Sequence, residues 1–260
     1  MRIAILLSAV LLAAGCSSAP VRTADEWRRS ESAADTAYLG DRFAEARPLY
    51  AALATDHPTD ARRDHFRLRE AQCLAGMGRA VEAMSLLDAL RQDVEADRVV
   101  VARANAVAGE IHRLAGRDEP ARAALEKALD GGGEVKRDAV LLSLARVLQR
   151  LGKWTDAKGR LTTLLAEFPL SPLRPAATEL LGFDHFSIQV GAFRAPTSAL
   201  ELAEKLTRSG VPAFSETSGD DGGDLYCVRV GRYGTWPEAN QAKQDLARRG
   251  KVARDAFVVP

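Results

Sequence analysis

Four segments of this chain repeat one pattern at nearly constant spacing, and few folds can satisfy it. "DRFAEARPLYAAL" from Asp41, "GRAVEAMSLLDAL" from Gly78, "GRDEPARAALEKAL" from Gly116 and "GKWTDAKGRLTTLL" from Gly152 align on Ala46, Ala83, Ala121 and Ala157, which are 37, 38 and 36 residues apart. Four residues beyond each Ala stands a large side chain (Tyr50, Leu87, Leu125, Leu161), and seven beyond it Leu53, Leu90, Ala128 and Leu164. Offsets of four and seven mark one face of a helix. In three segments a Gly stands five before the Ala, where a helix ends and turns. A small residue (Ala71, Gly109 or Ala145) stands seven before that Gly, where two helices would touch. The first segment has Asp41 in the Gly position. Each unit therefore reads as a helical hairpin that can bury its apolar face only against its neighbours. Ser171 and Pro172 are placed to start a closing helix through about Leu181, as N-cap and first helical residue.

This pattern resembles the tetratricopeptide repeat, with Pro58 and Pro169 at its closing proline position. The "DGGGE" stretch around Gly131 fits the longer turns that a period above the family's 34 residues requires. The resemblance implies an all-α solenoid over residues 25–181 whose concave side holds an unidentified protein partner. Trp27 and Trp154 are expected to pack between its helices.

After Gly182 the apolar period changes from helical to alternating. Phe186, Ile188 and Val190 point one way, and Ser187, Gln189 and Gly191 the other. In "PTSALELAEKLTRSG", Ser198 and Glu201 form a capping box ahead of an apolar stripe of Ala199, Leu202, Ala203 and Leu206. "VPAFSET" predicts a second strand, "SGDDGG" a hairpin turn and "LYCVRVG" a third strand. Thr235 with Glu238 caps a second helix, and "RDAFVV" is the fourth strand. The order is β-α-β-β-α-β, an α+β domain with a four-stranded antiparallel sheet and two helices on one face. Alternation puts Tyr226, Val228 and Val230 on the covered face, with Cys227, Arg229 and Gly231 on the open one.

The stretches "FSIQVGAF", "SALELAEKLTRSGVPA", "LYCVRVGRYGTWPEANQAKQDL" and "AFVV" resemble a SPOR domain over residues 183–260. Where that family usually ends a strand in "VGPF" this chain has "VGRY", and Cys227 stands where an Arg is common. The resemblance implies binding of peptidoglycan glycan strands stripped of their stem peptides. It points to Ser187, Gln189, Gly191, Phe193, Cys227, Arg229, Gly231 and Tyr233 as the glycan-binding set. Such a strand offers hydroxyls, acetamides and lactyl carboxylates. Gln189 donates and accepts, Arg229 suits a carboxylate, glycines admit close approach, and Phe193 or Tyr233 suits a sugar face. Each residue alone is equally a solvated sheet face or a rim aromatic of the core; together on one face they favour binding. RNA-binding RRM domains share this topology, but the aromatic pair and basic surplus they use are missing.

The N-terminus reads as an export segment. Met1 and Arg2 precede an apolar run over residues 3–14, the length of a signal-peptide core and too short to span a bilayer. The run ends "LLAAGCSS", which resembles the processing site of a bacterial lipoprotein. That resemblance implies a signal peptide over residues 1–15, diacylglycerol on Cys16, a lipidated tether over 16–24, and, from Ser17, sorting to the outer membrane. Cys73 and Cys227 are expected to be free, and 36 basic against 35 acidic residues, interspersed, argue against nucleic acid. Four scattered histidines lack metal-ligand spacing, and no nucleophile elbow, phosphate loop or HExxH motif occurs. Asp220 and Asp221 read as a solvated turn. No catalysis, cofactor or metal is expected. The sequence thus points to a lipid-anchored periplasmic protein at sites of wall remodelling or division. The alternative is an assembly adaptor of an outer-membrane complex that works through its repeats, with the C-terminal domain only localising it.

Overall fold

The computed structural model describes residues 23–57, 59–132, 136–220 and 223–260. The signal segment, Cys16, most of the tether and Pro58 lie outside them. Helices α1 (Ala24–Leu39) and α2 (Phe43–Asp56), α3 (Asp60–Gly76) and α4 (Ala80–Gln92), α5 (Arg98–Leu114) and α6 (Asp118–Asp130), and α7 (Arg137–Arg150) and α8 (Trp154–Glu167) form successive hairpins. The short helix α9 (Arg174–Leu181) closes the stack.

The repeat arithmetic predicts the packing. Ala46, Ala83, Ala121 and Ala157 are all 0% exposed, and the large residue four positions on is at most 1% exposed in every hairpin. At Gly109 an added Cβ would lie 2.6 Å from Leu125 Cγ, so only glycine lets α5 meet α6 there. The turns are set by the left-handed residue that begins each of the four segments. Gly78, Gly116 and Gly152 have φ of 75°, 69° and 75°, and Asp41, in the same slot, has φ 55°. Among the described residues Asp41 is the one non-glycine with positive φ. Behind each turn the next N–H reaches back to the helix, as in Arg42 N to Ala37 O (2.9 Å) and Lys153 N to Leu148 O (2.8 Å). Trp27 packs within the first hairpin, 5.0 Å from the His57 ring. Cys73 and Cys227 are free, and burial pushes the Cys73 thiol up to about 11.

The closing helix starts later than expected. Ser171 and Pro172 lie in a turn, Leu173 is the N-cap, and helix begins at Arg174 with Pro175 in its first turn. Ser171 Oγ serves that turn instead, accepting from Leu173 N (3.2 Å) and donating to Asp138 Oδ2 (2.7 Å).

The C-terminal domain runs β1 (Phe186–Phe193), α10 (Pro196–Arg208), β2 (Ala213–Asp220), β3 (Gly223–Tyr233), α11 (Trp236–Arg248) and β4 (Phe257–Val259). Its four-stranded sheet has the order β2-β3-β1-β4, with every neighbouring pair antiparallel. Ile188, Val228 and Val230, with α10 residues Ala199, Ala203 and Leu206, form its core, and Ala242 and Leu246 of α11 pack on the same cluster. Thr235 and Glu238 make the expected capping box, whereas Ser198 lies inside α10, which begins at Pro196. The strands β2 and β3 also continue through most of the segment read as a turn, to Asp220 and from Gly223.

The two parts meet at the last hairpin. Trp154 Nε1 donates to Gly234 O (2.8 Å), and its ring lies 5.1 Å from that of Phe186. Arg150, held by Asp118 (2.7 Å), sets its guanidinium 4.0 Å from the Trp236 ring centroid. A Cβ on Gly152 would stand 2.9 Å from Thr235 Cγ2, so this turn needs glycine twice, for its φ and for the approach of the sheet domain. Trp154 therefore bridges the two domains; it does not pack between helices as expected.

Candidate functional site

Two irregularities decide which side chains reach the open face of the sheet. Gln189 is opposite Arg229 but Gly191 is opposite Val228, so Val190 is an extra residue in β1. Phe186 is opposite Tyr233 but Ile188 is opposite Val230, so β3 carries an extra residue there, at Gly231 with φ 69°. A bulge shifts the alternation by one, and every later side chain changes face.

Four of the expected positions are corrected by these shifts. Gly191 turns toward the helices, where an added Cβ would be 3.2 Å from Leu202 Cδ2 of α10. Phe193 follows it, opposite Tyr226, and packs on the core cluster. Tyr233, opposite the buried Phe186, packs there too, and burial raises its phenol pKa. Gly231 sits against the Tyr233 ring, with Tyr233 Oη 2.5 Å from where a Cβ would be. So the two aromatics and the two glycines do not line the open face.

Ser187, Gln189, Cys227 and Arg229 do share that face, but not as a uniformly wet surface. Ser187 is 0% and Cys227 5% exposed, and Ser187 Oγ has no hydrogen-bond partner. Arg229 Nη1 donates to the Pro260 main-chain oxygen (2.8 Å), and its Nε lies 3.4 Å from Glu216 Oε2 without hydrogen-bond alignment. The charge of Arg229 is thus already answered inside the domain.

The register adds residues that the sequence reading left unassigned. Phe214 of β2 is opposite Arg229, Arg229 opposite Gln189, and Gln189 opposite Phe257 of β4. Directly opposed residues share a face. The row Phe214, Arg229, Gln189, Phe257 therefore crosses all four strands on the open side. Phe257 is 52% exposed. Arg232, also exposed, holds its guanidinium 5.6 Å from the Phe214 ring centroid. The alternation of "VPAFSET" and "FVV" carried this signal, but only the register says which half faces out.

A second concave surface lies in the helical part. Helices α1, α3, α5 and α7 line a groove of about 1080 Å³ that includes Tyr38, Leu68, Val107 and Leu114. Arg69, Arg103 and Lys136 also face it. Glu110 is engaged by Arg113 (2.6 Å) and accepts from Ser143 Oγ (3.1 Å). The His65 imidazole is held below its ordinary pKa by burial first and then by Arg69 and Arg103. Among the described residues no group of three or more His, Cys, Asp or Glu side chains is placed to hold a metal ion, and no helix is long and apolar enough to cross a membrane.

Residues 183–260 match the SPOR domain family, and residues 139–171, the α7–α8 hairpin, match the tetratricopeptide repeat family. No curated protein matches the chain. A SPOR domain points to peptidoglycan, and a tetratricopeptide repeat to a protein partner.

Proposed function

We propose that this protein is a non-enzymatic adaptor of the cell envelope that reads denuded peptidoglycan glycan strands with its sheet and holds a protein partner in its helical groove. The observation that carries the reading is the open sheet face within the SPOR match, which presents the Gln189 amide, the exposed Arg232 guanidinium and the exposed Phe257 ring on one surface. Peptidoglycan without stem peptides exposes sugar faces, acetamides and carboxylates in a row, which such a surface suits. The "LLAAGCSS" segment supports a lipid on Cys16, so the repeats become the spacer between an outer-membrane anchor and the wall. A role in wall remodelling or division follows from where stripped strands arise. The groove lined by α1, α3, α5 and α7 favours a second reading, in which partner assembly is the main task and wall binding only localises it.

Sedimentation of the full chain with sacculi tests the first reading. Amidase-treated sacculi, which have lost their stem peptides, are expected to retain the protein, and untreated sacculi to leave it in solution. Equal retention on both, or on neither, overturns the glycan assignment.

A further inference from the structure

We propose that Arg232 is the specificity residue of the sheet, pairing with the free lactyl carboxylate of a stripped glycan while Phe257 packs on a sugar ring at the opposite end of the cross-strand row. The inference rests on the glycan reading above and names the groups that would carry it.

Hydrolysis of the bond to a stem peptide converts a lactyl amide into a lactyl carboxylate and frees the peptide amine. The stripped strand therefore carries a negative charge at each lactyl group where its precursor has a neutral amide, and a surface that reads that group needs an available cation. Arg229 is poorly suited, because the Pro260 oxygen and Glu216 already hold its guanidinium and its side chain is only 13% exposed. Arg232 lies on the same face three residues along β3, beyond the bulge at Gly231, and is exposed. Its guanidinium is steadied against the Phe214 ring, a contact that leaves its N–H donors available for a planar anion. Asp184, an acidic group that feels Arg232, has its carboxyl held low first by its hydrogen bond with His185 Nδ1 (2.5 Å) and more weakly by Lys158 and Arg232.

The far end of the row supplies the complementary contact. Phe257 is 52% exposed on the open face of a short edge strand. From Phe214 to Phe257 there are three strand-to-strand steps of about 4.8 Å, or about 14 Å in all, more than one sugar ring. A strand crossing the sheet along this row would set a ring on Phe257 and an acetamide over Gln189. Its lactyl carboxylate would then come to Arg232 beside Phe214. The bulge makes this possible, since without the extra residue Arg232 would point into the core.

The test measures binding of the full chain to three soluble glycan preparations: stripped chains, the same chains with lactyl carboxylates converted to methylamides, and chains with intact stem peptides. The wild type is expected to bind stripped chains about ten- to a hundred-fold more tightly than the methylamides. Arg232→Gln should bind stripped and methylamide chains alike, Arg232→Lys should recover part of the preference, and Phe257→Ala should weaken both chains by a similar factor. Full preference in Arg232→Gln, or a wild type that binds stripped and methylamide chains equally, overturns this inference and leaves the glycan reading intact. A wild type that binds none of the three overturns both.

Discussion

Each hairpin of the solenoid packs on its neighbours in sequence, whereas the inner strand β1 takes both its partners from far along the chain, as Ile188 does with Val230 and Val258. The apolar core follows that difference. In the helical part it is divided into separate clusters, one joining α1 to α3, one α3 to α5 and one α6 to α9. In the sheet domain a single cluster joins the sheet to both helices. Damage to a stack of near-neighbour contacts stays near its origin, while damage to a small single core reaches every element around it. The sheet domain is thus the all-or-none unit, and the repeats are the gradual one.

The largest test of this contrast is Val228→Asp. Val228 is 0% exposed, and a buried unpaired carboxylate costs about 3–5 kcal/mol, a large share of what a small domain has. Hydrogen exchange should show the whole sheet domain unprotected while α1 to α6 stay protected. Loss of protection along the entire chain would mean that the two parts unfold as one. Of intermediate size is Trp154→Ala, which removes the hydrogen bond to Gly234 O and the contact with Phe186. Spin labels at the exposed positions Val81 and Leu200 should give a narrow distance distribution in the native chain and a broadened one in the variant, with both domains still folded. A broad native distribution would make the two parts independent bodies. The smallest is Asp41→Gly, which relieves a left-handed residue in the first turn and should stabilise the repeats by at most about 1 kcal/mol in urea melts. A destabilised variant would show that the Asp41 side chain has a task of its own.

The same contrast explains what could be read in advance. Helical positions follow from counting by fours and sevens, and no insertion interrupts the counts, so the buried faces of α2, α4, α6 and α8 fall where the pattern puts them. Even the odd residue, Asp41, occupies its turn in the conformation its three glycine counterparts adopt. The errors there are at helix starts: Ser171 and Ser198 have capping chemistry, but Pro175 and Pro196 sit in the first turns of helices that begin elsewhere. Faces in the sheet follow from counting by twos, which one extra residue defeats. In "FSIQVGAF" the isolated Gly191 hints at a bulge but does not say that Val190 is the extra residue, whose presence carries Gly191 and Phe193 to the covered side. Gly231 was a readable warning, since an isolated glycine in a strand often signals a bulge. The open-face row needed the pairing of β2 and β4 as well, and alternation within a strand does not say which strand lies beside which.

Only the four residues 182–185 join α9 to β1, and a chain that short resists tension but not bending. Bending is opposed by Trp154, Gly152 and Arg150 at the seam. Arg150 belongs to α7, the helix whose other residues Ala139, Val140 and Ser143 form one wall of the groove. A sideways pull on anything bound to the sheet is therefore delivered as torque to that wall. The molecule has the mechanics of a crank, in which load on the sheet turns the α7 wall of the groove.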